Sequence, residues 1–460
     1  MAQDRSLEEE YSTKARVLSE PRSNASGRRV HFWRSGIVRR RILAEYSLLI
    51  AWATISIIVV LVLRQPNYTV AFFTFGAVIA ASLLIAWAAE ASEFSISKGL
   101  ALALVAIVQT IPEYFVEGTI AWKAGKDPLG CTVDCWIPNV IANFTGANRL
   151  LTGLGWPLIL FTVMIQKRRK GQTGPTSIAL HKEQSVELVF MIGSSLYYVF
   201  VMVRGEMSLL DSLILGAAFV GYMWLLFRLP TDKNGPDEVL EGPPRALMEV
   251  KPLVRRLAAI VGLFVFAALT FVFVTDAFVE SIRTIAVSLL VPLLGSGAVF
   301  FSIQWIAPVL SEFPEKVSAF NWARTIRLAP TALLNFMSSS VNELTALVAL
   351  IPIVFAISSG SLTGTIPIGQ HDVEIFLTMA QSLYACAALL DLEYDVSNAT
   401  VLFVLWAVST AIVETRLLVG IIFLILAVVE LVVQRKKIIV FSAFRDTLRD
   451  KIFRRAPPSN

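Results

Sequence analysis

Charge is scarce in this sequence, and so are the residues that hold soft metals. Of 460 residues only 16% are Asp, Glu, Lys or Arg, while 55% are hydrophobic, and the mean hydropathy is +0.66. No water-soluble globular domain sustains that balance over such a length, so the chain reads as an all-α polytopic protein with a bilayer as its solvent. There are three histidines and three cysteines, with no histidine beside the Cys131/Cys135 pair, which argues against a zinc site. No His-Glu-x-x-His pair occurs, and no histidine is placed to partner a serine or cysteine nucleophile, so the chain is not expected to be an enzyme. A cleavable signal is also missing: residues 1–43 are polar and basic, and the first apolar run should act as an uncleaved anchor. Cys131 and Cys135 fall in a short loop where either a disulfide or two ordinary thiols would fit, and Cys386 sits in an apolar helix.

What is present is a series of apolar runs. They predict about twelve spanning helices, near 45–63, 69–91, 98–122, 137–165, 185–203, 208–228, 257–281, 286–320, 330–357, 373–392, 398–413 and 416–434, the run 286–320 being long enough to be tilted or broken. Basic residues set the orientation. Arg39, Arg40 and Arg41 precede the first span, Lys167, Arg168, Arg169 and Lys170 follow the fourth, Arg255 and Arg256 precede the seventh, and Arg435, Lys436 and Lys437 follow the last. Twelve spans put all four groups on one side, the cytoplasmic one, with both termini there and the plasma (inner) membrane as the expected location. The net charge of +5 is then a matter of topology rather than nucleic-acid binding; inorganic cations and membrane lipids are the expected partners. Outside the membrane lie a 1–43 tail, a 229–256 linker and a 435–460 basic tail, none large enough for a separate domain with a sizeable core.

Two acidic Pro-Glu steps interrupt the apolar runs: Thr110-Ile111-Pro112-Glu113 and Glu312-Phe313-Pro314-Glu315. A carboxylate inside a hydrocarbon-length segment is expensive and marks an ion path, and the proline beside it frees carbonyls of the preceding turn. The steps belong to an internal repeat. Glu113 and Glu315 stand 202 positions apart, Asn143-Phe144 and Asn335-Phe336 192 apart, and Val186-Glu187-Leu188 and Val373-Glu374-Ile375 187 apart. Each copy is about five helices long, at 69–228 and 257–413, with extra helices at 44–68 and 414–434. An odd number of helices per copy makes the copies inverted, so a site should form where they meet at the midplane.

On a helix Glu312 and Glu315 share a face, as do Thr110 and Glu113, and Glu117 follows Glu113 by four. Carboxylates, hydroxyls and carbonyls are hard oxygen ligands suited to calcium or sodium. The next helix of the second copy carries Asn335, Ser338, Ser339, Ser340, Asn342 and Glu343; that of the first carries Asn143, Thr145, Gly146, Asn148, Arg149 and Thr152. The acids could alternatively be paired with Lys316 or Arg149 for structure alone.

These segments resemble the cation/calcium exchanger superfamily, the sodium/calcium exchanger type in particular, whose signatures read roughly Gly-Thr-Ser-x-Pro-Glu, each followed by a Gly-Ser-Asn-x-x-Asn/Asp helix, in two inverted five-helix repeats. The resemblance covers about 69–434 and implies that Glu113 and Glu315 are central carboxylate ligands and Thr110 a hydroxyl ligand. Glu312 falls at the corresponding hydroxyl position, Glu343 at the Asn/Asp position and Ser339 at the serine. With Asn143 aligned to Asn335, Ala147 and Leu151 occupy the first-copy ligand positions; sliding by two pairs Asn148 with Asn342 and Arg149 with Glu343 instead. Both signature glycines are missing and extra acids are present. The implied function is a secondary-active cation antiporter exchanging calcium for sodium or protons by alternating access, with no cofactor. The alternative is a non-transporting membrane scaffold or sensor that keeps the fold.

Overall fold

The computed structural model describes residues 36–93, 110–127, 135–172, 174, 176–228, 242–295 and 297–449. The expected start of the third span, Cys131, and most of the N-terminal tail and linker lie outside them. In chain order the helices are α1 (Gly36–Leu63), α2 (Tyr68–Glu93), α3 (Ile111–Ala124) and α4, which runs Ile137–Leu150, takes a π-helical turn at Leu151–Gly155 and continues as Trp156–Arg169. Then come α5 (Ser185–Arg204), α6 (Leu209–Arg228), α7 (Pro243–Met248) and the long α8 (Leu253–Leu293). The rest are α9 (Ala298–Ser311), α10 (Phe313–Arg324) and α11, which runs Ala329–Asn342, turns π-helically at Glu343–Leu347 and ends as Val348–Ser359. They are followed by α12 (Asp372–Ala387), α13 (Val396–Ala411), α14 (Arg416–Val433) and α15 (Val440–Asp446).

Among the described residues eight helices are long and apolar enough to cross a membrane, and α9 and α13 are shorter apolar helices. The chain is thus an integral multi-pass membrane protein, but the expected segmentation into twelve spans needs correction. Residues 257–281 and the start of the 286–320 run form one helix, because nothing between Ser281 and Ala286 breaks it; a π-helical turn at Ala286–Leu290 is absorbed without interruption. The break comes at Gly295, whose φ of +77° is open to glycine, and again at Glu312, where the proline two residues later favours a new helix. The C-terminal tail is not wholly free either: α15 docks, with Val440 and Ala443 buried and the Ile439 and Val440 amides donating to the Leu390 carbonyl.

The two copies share backbone detail that their side chains obscure. Both α4 and α11 begin with X-Pro, Ile137-Pro138 and Ala329-Pro330, and both carry a π-helical turn after 14 residues, keeping a constant 192-residue offset. Proline at the second helical position is tolerated because the first-turn amides have no intrahelical partner. α5 and α12 begin 187 residues apart. Around them the copies exchange strands: β1 (Ser177–Ala179) pairs antiparallel with β4 (Glu393–Asp395), and β2 (Glu206–Met207) pairs antiparallel with β3 (Ile366–Pro367). The strand before α5 thus meets the strand after α12, and the converse, as a two-fold relation between inverted copies requires.

Close helix crossings hold the copies together. α2 lies along α8 with a row of small residues, Ala77, Ala81, Ala88 and Ala91, all buried. α4 meets α9 at Gly146, where an added Cβ would stand 1.9 Å from the Gln304 carbonyl oxygen. Outer faces of α1 and α14, including Leu48, Ile55, Val62, Leu417, Ile425 and Val433, are exposed and suited to acyl chains.

A buried ionic knot fastens α14 to both copies. Glu374 on α12 receives Arg149 Nη1 from α4 at 2.8 Å, Arg416 Nη1 from α14, and Gln304 Nε2 from α9 at 3.1 Å. Arg149 also stacks over Trp305, 5.2 Å from the ring centroid, and Arg416 Nη2 donates to Gln304 Oε1 at 3.1 Å. Arg149 is therefore engaged with Glu374 rather than with the Pro-Glu acids, which corrects the pairing considered from sequence. Removing one member of a buried pair leaves an uncompensated charge and costs about 3–5 kcal/mol, whereas an exposed pair such as Arg41–Glu45 contributes about 0–1. Glu374→Gln should accordingly melt well below the parent in detergent and Glu45→Gln should not, as fluorescence-detected thermal unfolding would register. Gly146→Ala should also destabilise, by about 1–3 kcal/mol, because a methyl group forces α4 and α9 apart.

Candidate cation site

Each Pro-Glu step is a helix start of the same shape. Thr110 (φ −93°, ψ 0°) caps α3 and Glu312 (φ −90°, ψ 1°) caps α10, and in both helices a proline fills the second position and a glutamate the third. Proline at the second helical position is tolerated because the first-turn amides have no intrahelical partner, so a short helix can start there. The starts of α3 and α10 approach each other through Glu113 and Glu312, whose carboxylate oxygens lie within 4.8 Å, and the positive dipole end of each helix lies beside the acids at its start.

Three carboxylates converge at this point. Glu113 from α3, Glu312 from the α9–α10 junction and Glu343 from the π-helical turn of α11 each offer an oxygen, all within 4.8 Å of one another. Each residue is about 2% exposed. Ser311 Oγ lies 3.5 Å from Glu113 Oε1, and Lys316 Nζ pairs with Glu312 Oε2. Among the described residues no hydrogen-bond donor reaches Glu113 Oε2, Glu312 Oε1 or either oxygen of Glu343. Buried acceptors without donors are costly, and a cluster of them is an oxygen cage that only positive charge completes.

The remaining expected residues surround this cluster but do not all join it. Glu315 turns to its own copy, accepting from Ser339 Oγ and, at 3.2 Å, from Asn335 Nδ2. Ser339 is thereby a hydrogen-bond donor to Glu315. Thr110 Oγ1 accepts from Asn342 Nδ2, whose Oδ1 accepts from Tyr114. Glu117 accepts from Asn143 Nδ2 at 2.6 Å, and Asn148 Nδ2 donates to Ser382 Oγ at 2.7 Å. Glu312 and Glu315, the cap and third residue of α10, differ in their partners: Glu312 pairs with Lys316, while Glu315 is held by Ser339 and Asn335. Sequence reasoning missed Ser311 and Tyr114; Asn342 stood in the polar run, but its partner Tyr114 comes from the other copy.

The constant 192-residue offset of α4 and α11 resolves the two alignments left open by sequence. It pairs Leu151 with Glu343, Ala147 with Ser339 and Asn148 with Ser340, and Arg149 has Val341 as its counterpart. The equivalent of Glu343 is thus apolar, and the cluster is lopsided: one acid from the first copy, two acids and an ammonium from the second.

Cys135 is disulfide-bonded and Cys386 is a free buried thiol.

Comparisons with known proteins agree with this architecture. A sequence model of the family described as sodium/calcium exchanger protein matches residues 66–228. No curated protein matched the sequence. Among solved structures, the H+/Ca2+ exchanger CAX is 32% identical, with a TM-score of 0.77, over 90% of this chain and 98% of that one. YfkE is 14% identical with a TM-score of 0.50, over 83% of this chain and 99% of that one. The sodium-calcium exchanger NCX_Mj is 17% identical with a TM-score of 0.44, over 79% and 99% respectively. With a matching repeat, a shared fold and 32% identity along nearly the whole of a solved exchanger, this chain belongs to the cation/calcium exchanger superfamily.

Proposed function

We propose that the protein is a secondary-active antiporter that moves Ca2+ against H+ by alternating access, with Glu113, Glu312 and Glu343 as the ion-binding carboxylates. The observation that carries this is the convergence of three buried carboxylates, open to no donor on four of their oxygens, where two helix starts from inverted copies approach. Three carboxylates against the single Lys316 ammonium leave two negative charges. One divalent cation balances them, as do two monovalent charges, and the two loads exclude each other; that competition couples the fluxes. Protons are favoured over sodium as the second load because the relative with the greater overall likeness is a H+/Ca2+ exchanger and because the extra acids replace neutral ligands of the family pattern.

In this reading Thr110, Glu315, Ser339 and Asn342 form the wall of the site, holding its helix starts in register, and Glu117 and Asn148 tie α3 to α4 and α4 to α12. The repeats occupy 69–228 and 257–413, the termini are cytoplasmic by the distribution of basic residues, and the plasma (inner) membrane is the proposed location. A scaffold with its acids locked in ion pairs fits less well: among the described residues Lys316 reaches only Glu312, and no basic side chain pairs with Glu113 or Glu343.

In everted vesicles, pH-gradient-driven Ca2+ uptake should fall at least about tenfold for Glu113→Gln, Glu312→Gln and Glu343→Gln, the scale of one lost charged contact. Glu117→Gln, whose partner Asn143 can bond an amide as well, should fall far less. Unchanged uptake in the first three would remove the assignment. Replacing the pH gradient by a sodium gradient should not sustain uptake in the parent protein.

A further inference from the structure

Glu187 and Glu374 are the same position of the two copies, both in the first turn of their helices, α5 and α12, and both buried. Glu374 has its charge compensated from within the chain by Arg149 and Arg416. Glu187 has no such arrangement. Its Oε1 lies 3.4 Å from the Tyr222 hydroxyl on α6, its Oε2 has no hydrogen-bond partner among the described residues, and it is 3% exposed. Tyr222 is itself fully buried between Phe190 and Phe219.

The charged groups of the neighbouring elements are committed elsewhere. On the turn before α5, Lys182 and Glu183 already have partners. Arg204 and Asp211 pair with each other, Glu374 of α12 is held in the knot, Glu343 of α11 is in the cation cluster, and Arg445 of α15 lies beside Asp446. Burying an ion without a partner costs several kcal/mol, more than the roughly 2 kcal/mol upper range of a helix N-terminus returns. At Glu374 the charge is met by guanidinium groups from α4 and α14, and Glu187, with none in reach among the described residues, takes its positive charge from solution.

That charge is a proton rather than a metal ion, since a hard cation gathers about six or more oxygens and, among the described residues, Glu187 has a side-chain hydrogen bond to the Tyr222 hydroxyl alone. The exposed His181 and Lys182 lie on the turn before α5, and Glu187 follows Lys182 by five residues, about 8 Å along a helix axis. The same helix also touches the cation site, where Tyr198 Oη donates to the Leu344 carbonyl at 2.9 Å, next to Glu343.

We propose that Glu187 is a proton-binding site of this protein, separate from the carboxylate cluster and reached from the side of the membrane bearing Lys167–Lys170, and that its proton exchanges during the transport cycle. The proposal rests on the antiporter reading for its role in transport, while the binding of the proton does not.

Two measurements on the full chain test it. Infrared titration of the purified protein should show a protonated carboxyl band that disappears on raising the pH and is missing from Glu187→Gln; Tyr222→Phe should keep the band and shift its titration. In liposomes reporting Ca2+ and H+ together, Glu187→Gln should carry about one proton fewer per Ca2+ than the parent, while Ca2+ still raises its melting temperature. An infrared titration identical to the parent's overturns the site, with Tyr222→Phe giving the deciding titration if Glu187→Gln does not fold. An unaltered H+:Ca2+ ratio overturns its part in the cycle. Absence of any Ca2+ flux in the parent instead overturns the antiporter reading and leaves the infrared result to stand alone.

Discussion

A carboxylate removed from water has to meet a positive charge, and in this protein that requirement governs more of the interior than apolar packing does. Glu113, Glu117, Glu187, Glu312, Glu315, Glu343 and Glu374 are all buried in the interior of the helical bundle, where each unpaired ion would cost several kcal/mol. The solutions differ by position. Amide or hydroxyl donors reach Glu117 and Glu315, two guanidinium groups hold Glu374, and one ammonium serves Glu312. In the proposed reading Glu113 and Glu343 are left to a mobile cation.

The duplicated backbone makes this division possible. Matching caps at Thr110 and Glu312, matching π-helical turns and the exchanged strand pairs give two scaffolds of one design, related by inversion. Side chains then diverge on it. Leu151 and Glu343 share a position, as do Arg149 and Val341, so the first copy supplies a fixed cation to the α12 knot and the second supplies acids to the cluster. Each copy has specialised at a different point on the same framework.

Much of this was legible in the sequence because it rests on local rules. A proline followed by an acid in an apolar run announces a helix break with a functional carboxylate, and the shared offsets announce the duplication. The segmentation of 257–320 was not legible from hydropathy, since a π-helical turn is as apolar as the helix around it and only Gly295 and Glu312 carry the breaks. Nor was the partner of Arg149: Glu374 lies 225 residues away, and only the tertiary crossing of α4, α9, α12 and α14 brings them together. Glu315 was expected in the cluster on helical periodicity, and Ser339 with Asn335 turned it aside, a choice made by donors on a different helix.

Strict exchange follows from the cluster's charge. In the proposed cycle the site without a load holds three carboxylates and one ammonium, and sealing a net charge of that size from water at the midplane is costly. A Ca2+ ion or two protons remove the cost, so only loaded forms reach the occluded state that must precede opening on the other side. The inverted backbone gives both openings comparable standing, because each is built from one copy's version of the same helix start. A ligand can bias the two openings only through differential contacts, and the lopsided cluster, with two acids and Lys316 from one copy and one acid from the other, is where such differences arise.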